Sequence, residues 1–281
     1  MDKPYGLKLF GIFMVSPLAA FALLNASPIF ASEGIVEINQ VRALAGNITS
    51  GDSAGFPVII SQRGSYKLTS NLTVPDVNTS GVIITADDVT IDLNGFSVVG
   101  PATAAGPDGS GLGIRSDRRA VVYNGTIRGM GDVGVQLGSY SRAEKLQVVA
   151  NKIGLSAAGA IISEINANQN RAAGISVANG STVTKCVVYD NLGDGIVASI
   201  ASSIIGNIVK DNHGVGILAG SGGLVLQNVV NGSTSYGLSL DDSTAYGQNV
   251  VSGNNGSSLN PQVLSGLQIG ANSCGERATC P

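Results

Sequence analysis

Along the middle of the chain a glycine followed by an aliphatic residue returns at a nearly constant interval: Gly134-Val135, Gly154-Leu155, Gly174-Ile175, Gly195-Ile196, Gly216-Ile217 and Gly237-Leu238. The step from each glycine to the next hardly varies, and Gly113-Ile114 lies one such step further upstream. A unit that short cannot bury an apolar face alone and must stack on its neighbours, so the repeat predicts a solenoid. Stacking also lines up equivalent positions of successive turns. A functional group is therefore to be sought as a column of residues.

A leucine-rich repeat has an overlapping period, but its L-x-x-L-x-L scaffold is missing. The segments between glycines, such as residues 183–189 and 204–209, are instead rich in Val and Ile with small polar residues. Those are short strands. A helical apolar stripe over several turns is absent after the N-terminal segment, apart from a short helix expected near residues 38–45. Each coil then reads as two or three strands of about 3 to 5 residues with Gly/Asn corners, stacked at roughly 4.8 Å. The fold class is all-β, a single-stranded parallel β-helix. Asn207, Asn228 and Asn249 recur with Cys186 in the same register, and Asn170, Asn191 and Asn212 form a second series. Asparagine tolerates left-handed corners, and its amide can bond the coils above and below. An internal asparagine ladder is the expectation.

Residues 207–217 spell N-x-V-x-x-N-x-x-x-G-I, and residues 64–72 followed by 88–95 form an opening segment of short strands. In both, the chain resembles the right-handed parallel β-helix proteins of bacterial envelopes, whose repeat is associated with carbohydrate-binding and sugar-hydrolase proteins. The resemblance covers about residues 56–270. It implies a right-handed winding. The activities it implies are broad, from lyases, hydrolases and epimerases to adhesins, so the site must be argued from its own residues.

Residues 1–32 read as an export signal: Lys3 and Lys8 precede the apolar residues 9–24, and Ala26, Ser27, Ala31 and Ser32 offer cleavage points. The run is short for a membrane span and carries Pro17. A secreted or periplasmic protein follows, with no membrane insertion after cleavage. The expected organisation is a cap over residues 33–62, coils over 63–270 and a tail over 271–281. In the tail, Cys274 and Cys280 are placed to form a disulfide, as an oxidising compartment allows. Cys186, between β residues, reads as a buried, inert thiol, and the cysteines give no zinc pattern. Residues 101–111 and about 256–264 break the period. With 43% hydrophobic and only 12% charged residues, one long, narrow core is expected. A formal charge of -3 without any Lys/Arg-rich run argues against nucleic acid as partner.

Chemistry needs acids, bases and cations on one face. Asp190 and Asp211 each lie five residues before a repeat glycine, Gly195 and Gly216, and so stack if both point outward. Near them fall Lys210, Tyr189, Asp194 and His213, the only histidine. Two stacked carboxylates could share a proton, and His213 could act as base, so Asp190, Asp211 and His213 are the catalytic candidates. Lys210, Tyr189 and Asp194 would touch substrate. Repulsion between the carboxylates could be offset by Lys210 or by Ca2+, the one cofactor such a pair calls on. A second cluster, Arg115, Arg118 and Arg119, with Arg128 and Arg142 on following coils, could bind carboxylates of a uronic-acid polymer, although Asp117, Asp132 and Glu144 lie near enough to neutralise it. The calcium-binding acid cluster of pectate lyases, the Asp/His set of polygalacturonases and the Asp-Pro-His signature of alginate epimerases have no residue-by-residue match. There is no tryptophan, while Tyr123, Tyr140, Tyr189, Tyr236 and Tyr246 remain for stacking on sugar. Two readings stay open: an exported β-helix that binds cell-surface or other polysaccharide, or serves as a surface element, and an enzyme (lyase, hydrolase or epimerase) acting on acidic polysaccharide.

Overall fold

The computed structural model describes residues 34–257, 259–275 and 280; the expected export signal lies outside them. The chain winds as a right-handed parallel β-helix. Most coils carry three short strands, which stack into three columns; in two coils the second and third are continuous, as Ala120–Arg128 and Arg142–Val149. Among the described residues column I holds ten strands, from Val58–Ile60 to Val263–Leu264. In one coil, column I is Ile196–Ala198, column II is Ser203–Ile205 and column III is Ile208–Lys210. Each pairs in parallel with its counterpart in the next coil, as Ile196 with Ile217, Ile204 with Val225 and Val209 with Val230. Below, coils are numbered by their column I strand, and corners a, b and c follow columns I, II and III.

The repeat pair has a direct structural meaning. Its aliphatic member points inward: Leu155, Ile175, Ile196, Ile217 and Leu238 are fully buried and stack down the core. Its glycine is required by close approach. A Cβ on Gly195 would lie 2.6 Å from the carbonyl oxygen of Gly216 and 2.9 Å from Nδ2 of Asn212. No residue with a side chain fits there without moving backbone.

Two ladders of buried amides accompany these glycines. At corner c, Asn191 Nδ2 donates to Asn212 Oδ1 at 2.9 Å, while Asn191 Oδ1 accepts from the backbone N–H and Nδ2 of Asn170. At corner b, Cys186 N–H donates to Asn207 Oδ1, and Asn207, Asn228, Asn249 and Asn272 continue the chain of bonds. One detail differs from the sequence expectation. The ladder residues do not occupy the left-handed position; the residue before each does, as Asp190, Asp211, Gln227 and Gln248 show before asparagines and Lys185 before Cys186, with φ of 53 to 58°. The chain must turn before the amide can point into the core, so the exposed residue takes the left-handed geometry and the buried one keeps its hydrogen bonds. Cys186 is buried as expected, and burial pushes its thiol up to about 12.

The winding starts before residue 63. Ile35–Ile38 pairs with Gly64–Leu68 in column II, and Val58–Ile60 opens column I. A helix, Gln40–Ala45, capped by Asn39, lies between them. The loop after it covers the free edge of column I: Asp52 accepts from Ile48 N–H and from Ile59 N–H, and Thr49 Oγ1 donates to Ile59 O. An exposed strand edge would template unwanted pairing, and these side chains fill its hydrogen bonds. At the other end the strands shorten to Val263–Leu264, Leu267–Gln268 and Ser273–Cys274, and Cys274 is bonded to Cys280. Among the described residues no helix is long and apolar enough to cross a membrane.

Candidate functional site

The acidic group predicted from sequence lies at corner c. Asp190 and Asp211 occupy equivalent left-handed positions of consecutive coils, because Tyr189 and Lys210 just before them are in register. Both are exposed. Lys210 Nζ sits 3.7 Å from Asp211 Oδ2 and 5.3 Å from the centre of the Tyr189 ring. Asp190 Oδ2 accepts a 3.4 Å bond from Gln169 Nε2. The Asp194 carboxylate is engaged by the scaffold, accepting the Val215 N–H at 2.7 Å across the coil step. His213 is exposed, and among the described residues its ring has no hydrogen bond. Among them also, no three His, Cys, Asp or Glu side chains come together. A calcium ion takes roughly six to eight oxygens, whereas this corner offers two carboxylates with an ammonium beside one of them.

The arginine group is divided by the fold. Arg115 is the outward residue of Ile114–Ser116 on column I, and its guanidinium holds Asp117 at 2.7 and 3.4 Å. Arg119 lies past corner a, where Nη2 and Nε both bond Asp88 Oδ1, at 2.6 and 2.7 Å. Arg118, exposed between them, makes no ion pair among the described residues. Four residues around a corner suffice to turn Arg115 and Arg119 onto different faces.

Arg119 instead joins a cleft of about 610 Å³ along coils 2 to 5. The cleft is a grid of two files. The corner file is Asp88, Arg119, Tyr140 and Gly159, with backbone bonds from Asp88 N–H to Arg119 O and from Tyr140 N–H to Gly159 O. The strand file is Thr90, Val121, Arg142 and Ile161, paired in column II. Between the files the inward residues Val89, Ala120, Ser141 and Ala160 are buried. Small inward residues keep the floor low, and the outward ones form the walls. Tyr140 stands out from the corner, 83% exposed, at a left-handed φ of 61°. Arg142 beside it is exposed and has no ion pair among the described residues. A usable signal existed: Arg119 and Tyr140 each follow a repeat glycine, Gly113 and Gly134, by six residues.

Sequence reasoning also missed Arg171. Its side chain is only 8% exposed, and it binds the irregular loop 101–111 to the coils. Nε donates to Asp108 at 3.0 Å, Nη1 to the carbonyls of Thr103 and Ala150, and Nη2 to those of Met130 and Gly131. Lys152 adds a 3.5 Å contact to Asp108. The Arg171 hydrogen bond, helped by both positive charges, holds the Asp108 carboxyl below the usual carboxylate range. The loop is a strap along corner c, fixed two to three coils away from its root.

Residues 58–256 match the family described as the right handed beta helix region, and the chain belongs to it. No curated protein matches the chain. Among solved structures, it is similar to the Dettilon tailspike protein, with 12% identity and a TM-score of 0.58 over 79% of this chain and 51% of that one. It spans about half the length of that tailspike. The pectate lyase Pel9A is 14% identical with a TM-score of 0.45, covering 76% of this chain and 69% of that one. The periplasmic alginate epimerase AlgG is 13% identical with a TM-score of 0.48, covering 84% and 83%. At such identities the likeness is one of fold.

Proposed function

We propose that the protein is an exported β-helix that binds polysaccharide on its rigid outer surface without turning it over. The observation that carries this is the cleft on column II, where an exposed tyrosine stands on a floor of hydrogen-bonded backbone. The flat apolar face of Tyr140 suits the C–H face of a sugar ring, and its hydroxyl can reach a ring substituent. A wall of paired strands keeps the platform in place before the glycan arrives, which limits the ordering cost of binding. Export is supported by the apolar segment at residues 9–24 and by the cysteine pair in the tail. A membrane anchor and nucleic acid form no part of this reading.

A second reading is a lyase, hydrolase or epimerase working from corner c. It is favoured by the stacking of Asp190 over Asp211, with His213 two residues further on, Lys210 beside Asp211 and Tyr189 beneath Lys210. Ca2+ could join the two carboxylates only with oxygens supplied by substrate or water. The two readings separate in one experiment. The wild-type protein and the Asp190→Asn, Asp211→Asn and His213→Ala variants are incubated with acidic and neutral polysaccharides, and both retained polymer and released ends are measured. Retention without unsaturated or reducing ends, lost in Tyr140→Ala and kept in the corner c variants, is the expected result. Release of ends that depends on Asp190, Asp211 or His213 would overturn the binding reading in favour of the enzyme.

A further inference from the structure

We propose that the column II cleft selects an anionic sugar, its carboxylate or sulfate held by Arg142 while the ring lies on Tyr140. This rests on the glycan-binding reading above and adds to it the charge of the ligand.

Three charged side chains line the cleft: Asp88, Arg119 and Arg142. Two of them neutralise each other, since both Arg119 nitrogens converge on one oxygen of Asp88. The third, Arg142, has no ion pair among the described residues and leaves the cleft one positive charge in excess. A neutral sugar covering that guanidinium would strip water from it and return only hydroxyl acceptors, without a compensating charge. A carboxylate or sulfate restores the lost hydrogen bonds through two parallel N–H donors, the geometry for which arginine is suited and lysine is not.

Position supports the same conclusion. Tyr140 and Arg142 flank Ser141, which points inward and is buried. Both neighbours therefore face the cleft, separated by two residue steps or roughly 6 to 7 Å, a span that one pyranose and its acidic substituent can bridge. Ile161, 48% exposed, follows Arg142 in the strand file one coil on, and Gly159 follows Tyr140 in the corner file. The cleft is thus polar toward Asp88 and apolar toward Ile161. A bound chain would lie with its anion away from Asp88, whose free oxygen repels it, which gives the site a direction as well as a charge preference.

The test uses the full exported protein and four probes: polygalacturonate, alginate, dextran sulfate and unmodified dextran. Binding is followed by calorimetry at low and raised salt. At least one of the anionic polymers is expected to bind more tightly than dextran, with affinity falling as salt rises. Arg142→Gln should lower that affinity tenfold or more, and Arg142→Lys should recover only part of it, for the carboxylate and the sulfate polymers alike. Asp88→Asn should strengthen anionic binding severalfold. Both side chains are exposed, so matching unfolding curves will show that the variants fold. Equal binding of dextran and the anionic polymers, unchanged in Arg142→Gln, would overturn the charge preference while leaving glycan binding in place. Failure to retain any of the four polymers would overturn the glycan-binding reading itself, and this inference with it.

Discussion

Coils 6 to 9 and coils 1 to 5 share one core but obey different rules. In the later coils Ile175, Ile196, Ile217 and Leu238 are in register at a constant step along the sequence. In the earlier ones Val58, Val82 and Ile114 are equally well in register, although the step from Val82 to Ile114 is much longer than that from Val58 to Val82. The corner residues differ between the two stretches. Coils 7 and 9 carry asparagine at both corner b and corner c, while coil 6 has Cys186 at corner b and coil 8 has Ser233 at corner c, and each ladder amide meets its counterpart a single coil away. At corner b of coils 4 and 5 the inward residues are Leu146 and Ile165, which need only contact. Neither kind of corner fixes the turn length: amides meet across 19 residues between Asn151 and Asn170, across 21 between Asn191 and Asn212, and across 23 between Asn249 and Asn272. Coils 1 to 5 are the permissive half in that they carry the longest insertion, and the cleft and the Arg171 strap both lie there, while the regular half repeats the same surface from coil to coil.

The sharpest way to break this contrast is to put a methyl group where coils touch. Gly195→Ala drives a Cβ to 2.6 Å from the Gly216 carbonyl, and an overpacked site of this kind costs about 3 kcal/mol. Gly180→Ala, at a corner with φ of 70° and open space around it, should cost about 1 kcal/mol from its left-handed backbone alone. Denaturant unfolding of the two variants measures the difference. Equal losses would mean that the glycine column is kept for turning rather than for close approach.

Smaller effects follow within the ladder. Asn191→Ala would leave the backbone N–H and Nδ2 of Asn170 without their acceptor, a loss of about 2 kcal/mol. The ladder already contains one natural gap. Ser233 stands where the series would place asparagine, and its hydroxyl is buried with no partner among the described residues. Asn212, whose Nδ2 otherwise donates only to Val188 O, faces that gap. Ser233→Asn should complete the run from Asn212 to Asn254 and raise stability by about 1 kcal/mol. A destabilised variant would show that the gap is too narrow for an amide.

The same contrast explains what could be read in advance. The period, the inward aliphatic residues and the ladders were legible, because in a regular coil one spacing fixes position and facing together. Side-chain neighbours at the corners were not. Arg115 and Arg119 looked like one group but lie on two faces, and the Asp194 carboxylate, counted among the substrate contacts, bonds the Val215 N–H. Tyr140 and Arg142 become partners only once the left-handed turn at Tyr140 is known to leave both outside Ser141. Arg171 was the least accessible, since its partners come from residues 103, 108, 130, 131 and 150. Nothing in so short a period points to a contact as remote as that of Arg171 with Asp108.

The weakest expected effect sharpens the picture of the permissive half. Asp108 is held below its ordinary range chiefly by the Arg171 hydrogen bond, so the folded strap favours the charged carboxylate. A group depressed in this way contributes stability that is complete above its unfolded pKa, around 4, and is lost as pH falls through the lowered folded value. Acidification through that window should loosen residues 101–111 before the coils respond. Amide exchange in the loop should rise while exchange in strands such as Ile196–Ala198 stays slow. Because Asp108 is itself half exposed, the global unfolding temperature should barely move. Arg171→Met should free the loop at neutral pH and abolish its response to acid, since the lowered carboxyl would lose its main cause. A loop that stays protected in that variant would place its anchoring in the Gly109 and Gly111 backbone bonds to Gly131 and Val77, and the strap would then be an extension of the ladder rather than a side-chain clasp.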